Sequence, residues 1–126
     1  MQIEVSKGEI IDKFTIASIK LEKIHEEEKR NNVRYEYEIL EKAVLEIKSH
    51  TKEDLSFVIK ELKLLNEQIW DTVDKICKKE VSKEFDGEFI ELARNTYLLN
   101  DLRSKVKRKI NLMTNSCIIE EKLYLL

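Results

Sequence analysis

A chain of 126 residues with no proline and only two glycines has few means of breaking a helix. An all-β fold needs turn residues at short intervals, and this sequence does not supply them. Long helices are therefore expected, and the clearest is the first. Ser6 followed by Glu9 has the spacing of a capping box, so a helix should start there. Ile10, Phe14, Ala17, Leu21 and Ile24 then recur at four- and three-residue steps as one apolar seam. Ile16 and Ile19 form a second seam on the opposite side. Apolar residues on two faces imply burial on both, so this helix is expected to be the central post of the fold.

The pattern continues along the chain. The first helix is expected from Lys7 to about Arg30, with Asn31 and Asn32 as the turn. A second, Val33 to Ser49, carries Val33, Tyr37, Leu40, Val44 and Ile47. Thr51 with Asp54 resembles another capping box. It opens a third helix, Lys52 to Lys83, with Leu55, Ile59, Leu62, Ile69, Val73 and Ile76 as its seam. Asp86-Gly87 reads as a cap and a turn before a fourth helix, Glu88 to Met113. Met1–Val5 reads as a short extended arm. Cys117–Leu126 reads as an apolar tail, a helical turn or two docked on the rest. The expected fold is all-α, an up-down antiparallel four-helix bundle, with residues 1–126 as a single domain.

Charge and cysteine content narrow the function classes. Lys+Arg (23) nearly balances Asp+Glu (25), and the net charge of −2 weighs against coating nucleic acid or anionic membrane. No window approaches the ~18 apolar residues of a membrane span. MQIEVSKGE has no basic region leading into an apolar one, so no signal peptide is read there. Cys77 and Cys117 lack metal-site or redox spacing, and a reduced, cytosolic protein is expected.

Among residues that could carry chemistry, Arg103 stands out because Leu99, Val106 and Ile110 share its stripe. A buried charge there must be paired, and Asp12, Glu36 and Asp74 are candidate partners. The plain reading is a structural ion pair or a snorkelling arginine. The functional reading is an anion site between helices, with Asn100 and Lys107 one turn to either side of Arg103. Arg103, Lys107, Asn100, Asp12 and Asp74 are thus the candidate ligand-binding residues. The run Lys105, Lys107, Arg108, Lys109 could serve as a phosphate or nucleic-acid patch, but in a chain of acidic pI it reads first as a solvated helix end whose charges complement the dipole. Asn66 and Trp70, one turn apart, read as a polar link in the core, and Cys77 as packing. His25 beside Glu26–Glu28 is a single histidine in reversed di-metal order, so neither a metal site nor a cofactor is expected. No phosphate loop, HExxH or nucleophile elbow occurs.

VSKGEIIDKFTIASIKLEKI, NEQIWDTVDKI, FIELARNTYLLNDLRSKVKRKIN and SCIIEEKLY together span nearly the whole chain. They resemble a family of small bacterial and phage-borne helical proteins of unknown function, most specifically in GEIIDK, LARNTY with NDLR, and EEKLY. The resemblance implies no activity. It implies that Asp12, Lys13, Asn66, Asp74, Arg94, Tyr97, Asn100, Asp101, Arg103, Lys107, Glu120, Glu121 and Lys122 match the family's pattern. An acidic residue is usual there where Val73 stands and a basic one where Cys77 stands. Those departures bear on any polar cluster around Asp74.

The sequence thus points first to a non-enzymatic interaction or accessory module that self-associates, most simply as a homodimer. Surplus apolar residues such as Phe57 and Leu64, and the second seam of the first helix, motivate that expectation. The alternative is a small helical enzyme or anionic-ligand-binding protein, its site between the first, third and fourth helices.

Overall fold

The computed structural model describes residues 1–123. It contains four helices: α1 Lys7–Lys23, α2 Glu27–Ser49, α3 Ser56–Val81 and α4 Gly87–Met113. No strand occurs among the described residues, and none of their helices is long and apolar enough to cross a membrane. Met1–Val5 is exposed and without regular structure.

The helix ends follow local chemistry, in places differently from the sequence expectation. Ser6 caps α1 by accepting a hydrogen bond from the Glu9 amide at 3.1 Å. Its partner glutamate does not close the box; Glu9 points instead to Lys107 and Lys13. The break between α1 and α2 falls at residues 24–26, not at Asn31-Asn32. Lys20 and Lys23 lie in the last turn of α1, and Glu27 and Glu28 in the first turn of α2. The helix dipole favours that order of charge, and one helix continuing through it would have no such gain. Asn31 and Asn32 ride exposed inside α2, with Asn31 accepting a bond from Arg34.

The third helix starts four residues later than expected. Thr51 donates its hydroxyl to the Ile47 carbonyl, which closes α2, while Asp54 accepts the Ser56 amide at 2.9 Å. The α3–α4 turn does not rely on Gly87. Lys83 supplies the left-handed residue (φ 57°), and the Glu84 amide reaches back to the Lys79 carbonyl at 2.9 Å. Gly87 is simply the first residue of α4, behind the Asp86 cap, which accepts the Phe89 amide at 3.0 Å. The same closure ends α4: Asn115 has φ 52°, and the Ser116 amide bonds the Asn111 carbonyl at 2.9 Å.

That closure turns the chain back, so the expected helical tail is not formed. Cys117–Leu123 is non-helical and runs back along α4. Glu120 meets Asn111, Glu121 meets Arg108, and Lys122 meets Asp101. The part of the tail expectation that falls on Tyr124–Leu126 lies outside the described residues.

α1 packs against α2, α3 and α4, and α3 packs against α4. Within α1 only Lys13, Glu22 and Lys23 are exposed, as expected of a central post. α2 approaches α1 closely and lies against it through the Phe14–Tyr37 ring stack (centroids 5.2 Å apart). The core sits at one end of the bundle. Ile11 of α1, Val44 and Ile47 of α2, Leu55, Val58 and Leu62 around the start of α3, and Val106 and Ile110 of α4 form one buried cluster. Each such side chain contributes ~1.5–3 kcal/mol on burial. At the other end α3 and α4 continue past α1 as a two-helix arm with few buried residues.

Candidate functional site

α4 presents Arg103, Lys107 and Asn111 at four-residue steps, one above the other on a single face. Antiparallel to it, α1 presents Asp12, Glu9 and Gly8. Gly8 permits the close approach: a Cβ there would lie 2.5 Å from the Lys107 carbonyl oxygen and 2.7 Å from Asn111 Oδ1. The Gly8 amide donates to Asn111 Oδ1 at 2.6 Å, and the Lys7 amide to Ser116 Oγ at 3.1 Å. The first amides of α1 are thus satisfied by the end of the chain. Asn111 and Ser6 both donate to Glu120, at 3.0 and 2.7 Å, which ties the tail to both helices.

With the helices this close, Arg103 reaches Asp12. Its Nε donates to Oδ1 at 2.9 Å and its Nη2 to Oδ2, a two-pronged pairing. Asp12 is fully buried, and Asn66 of α3 completes its coordination: Nδ2 donates to Asp12 Oδ1 and to Thr15 Oγ1, both at 2.9 Å. Asn100 accepts from Arg103 Nη1 at 3.3 Å. Lys107 bonds Glu9 at 2.5 Å and stands 3.9 Å from Asp12. The hydrogen bond to Asp12 raises the Arg103 pKa above its ordinary value, although burial works the other way. Two carboxylates, Asp12 and Glu9, thus face two cations, Arg103 and Lys107.

Beside this cluster is an open groove of about 430 Å³. Ile16 and Ile19 of α1 form one wall, and Arg103 stands at the opposite side. Ile69, Trp70, Val73 and Cys77 of α3 form an apolar floor, with Asn66 and Asp74 also lining it. Four of the five candidates, Asp12, Asn100, Arg103 and Lys107, therefore stand in one hydrogen-bonded and ion-paired group. Asp74 does not join it; this residue is exposed and pairs with Lys78 at 2.9 Å, one turn along α3. It shares only the groove. Of the basic run, Lys105 pairs with Asp101, Lys107 with Glu9 and Arg108 with Glu121. Cys77 and Cys117 are exposed and free. Among the described residues, no three His, Cys, Asp or Glu side chains gather as metal ligands.

The segments GEIIDK, NDLR and the first residues of EEKLY, far apart in sequence, meet in this one network. A model described as a family of unknown function (DUF6165) matches residues 1–126. The chain belongs to the DUF6165 family. No curated protein and no solved structure matches it. Sequence reasoning passed over several residues on which the DUF6165 network in this chain depends. Gly8 carried no signal of its own inside the first helix, and Glu9 entered only as half of a capping box. Thr15 and Asn111 carried no signal, since single hydrogen-bonding residues inside a helix look like surface.

Proposed function

We propose that this DUF6165 chain is a non-enzymatic interaction module that self-associates and serves as an accessory to another protein in the cytosol. One observation carries the reading. The face of α3 that α1 covers at Asn66 continues beyond the end of α1 as Trp70, Val73, Cys77 and Val81, with Val73 40% and Val81 83% exposed. An apolar strip along a helix, open to water over several turns, marks a docking surface.

The charges beside it support the same reading. Arg103 and Lys107 are already committed to Asp12 and Glu9. An anionic ligand gripped by those cations would have to displace carboxylates hydrogen-bonded in place, at the full cost of leaving buried Asp12 unpaired. The balanced cluster acts as a clamp that positions α1 and α4, and the groove beside it is the part left open.

Light scattering on a sizing column tests the reading. The wild type is expected to elute as a dimer and Val73→Glu as a monomer of unchanged helicity. A wild type that stays monomeric, while phosphate or a dicarboxylate raises its melting temperature through Arg103, would transfer support to the ligand-binding alternative.

A further inference from the structure

Asn66 leaves one polar atom unused. Its Nδ2 donates to Asp12 Oδ1 and to Thr15 Oγ1. A carboxylate can only accept, so Asp12 fixes which end of the Asn66 amide faces it. The carbonyl oxygen, Oδ1, is turned away from Asp12 and accepts no hydrogen bond from any described residue. Asn66 is only 5% exposed. Yet among the described residues the one fully sealed side-chain polar atom without a partner is Arg30 Nε. Oδ1 of Asn66 therefore reaches open space, and the open space that Asn66 lines is the groove beside Arg103. An acceptor held in so little solvent favours a donor brought to it.

Arg103 offers the complementary atoms. A guanidinium carries five N–H groups. Nε and Nη2 each give one to Asp12, and Nη1 gives one to Asn100. One N–H remains on each of the two terminal nitrogens, and that on Nη2 lies on the edge turned away from Asp12. Asn66 Nδ2 and Arg103 Nε both bond the same Asp12 oxygen at 2.9 Å, so the two side chains stand next to each other. A spare acceptor and spare donors thus adjoin at one end of the groove, with Ile16, Ile19, Ile69 and Trp70 as apolar surface beside them.

Charge decides what fits there. Asp12 and Glu9 already balance Arg103 and Lys107. A carboxylate brought to Arg103 would add a third negative charge next to buried Asp12. An uncharged amide adds none, and it carries a carbonyl oxygen and an N–H side by side. We propose that the Asn66–Arg103 end of the groove binds a small uncharged molecule by a carboxamide or cyclic amide edge. The carbonyl accepts from Arg103, the N–H donates to Asn66 Oδ1, and a flat apolar body lies against Trp70 and the α1 isoleucines. The groove volume of about 430 Å³ is ordinary for small-molecule sites. This site goes beyond self-association and does not rest on it.

The test is a titration of the whole chain, in dilute solution, with benzamide, benzoate and acetophenone. The chain has one tryptophan, so the single indole N–H resonance of Trp70 reports on the groove. Benzamide is expected to shift that resonance saturably, with a Kd of a few millimolar or tighter, as suits so small a probe. Benzoate keeps the shape and adds the charge. Acetophenone keeps the acceptor for Arg103 but brings no donor to Asn66. Each is expected to bind roughly tenfold more weakly than benzamide. Asn66→Leu should bring benzamide down to the level of acetophenone, with a thermal melt to show that the variant is folded. Should it not fold, the three-probe comparison on the wild type decides alone. Benzoate binding tightest would make the site an anion site and overturn the proposal. Acetophenone matching benzamide, or a folded Asn66→Leu that keeps the benzamide margin, would remove Asn66 from the contact and overturn it equally. No saturation by benzamide up to about 20 mM, well above the Kd expected of such a probe, would mean no such site exists. None of these outcomes bears on self-association, which is read separately by light scattering.

Discussion

Asp12 and Arg103, 91 residues apart in the chain, are joined by two hydrogen bonds between a fully buried carboxylate and a guanidinium that keeps 26% of its side chain in solvent. This contact fixes α1 against α4 and, through Asn66, against α3. Its symmetric removal and its half removal should differ. Arg103→Ala or Asp12→Ala leaves one charge uncompensated beside the core and is expected to lower unfolding free energy by about 3–5 kcal/mol. The apolar pair Asp12→Leu with Arg103→Met should lose less than either single variant. Urea denaturation of the four proteins measures the difference.

The two glycines should respond in opposite directions. A methyl at Gly8 meets the Lys107 backbone carbonyl at 2.5 Å, so Gly8→Ala must push α1 from α4 and is expected to cost about 1–3 kcal/mol. A methyl at Gly87 meets nothing within 4 Å, and the residue has no positive φ. Gly87→Ala is expected to stabilise by about 0.5–1 kcal/mol. Paired thermal melts check both signs.

Acid should loosen the tail. Burial acts to raise the Glu120 pKa, but the hydrogen bonds from Ser6, its own backbone amide and Asn111, together with the nearby charge of Lys107, outweigh it, and the folded pKa lies below the ordinary carboxylate value. A carboxylate with a lowered folded pKa contributes stability above its unfolded pKa and loses it as pH falls through the folded one. Stability should therefore decline as pH falls below the ordinary glutamate range, and Glu120→Gln should flatten that decline while lowering the neutral-pH plateau. Denaturation midpoints measured from neutral pH into acid give the comparison.

The arm should open before the core. Beyond Val73 on α3 and before Leu99 on α4, few side chains are buried, and Asp86 alone caps the start of α4 with its side chain. Asp86→Ala is expected to cost about 1 kcal/mol. That loss should appear as faster amide exchange at the arm tip, with the amides around Ile11, Leu62 and Ile110 unchanged.

Much of this fold was legible because periodicity survives without breakers. The apolar steps along Ile10, Phe14 and Ala17, and the second seam at Ile16 and Ile19, announced an enclosed first helix. Arg103 on an apolar stripe announced a buried pair. What escaped was decided between distant segments or by competing local signals. Asn31-Asn32 looks like a turn, yet the order of charge from Lys20 to Glu28 places the break earlier. Gly8 carries no signal of its own in the sequence, and only the proximity of α4 gives it a reason. Asn115 and Lys83 take the left-handed positions that a reader would assign to glycine. The tail's return along α4 follows from Asn115, and no apolar spacing in Cys117–Leu123 foretells it.

Amide exchange across Trp70–Val81, compared between dilute and concentrated protein, tests most directly the claim that this α3 face is the working surface. Protection there is expected to rise with concentration while the exposed stretch of α2 around Tyr35 and Ile39 stays constant. Protection independent of concentration, or rising on α2 instead, would contradict the account.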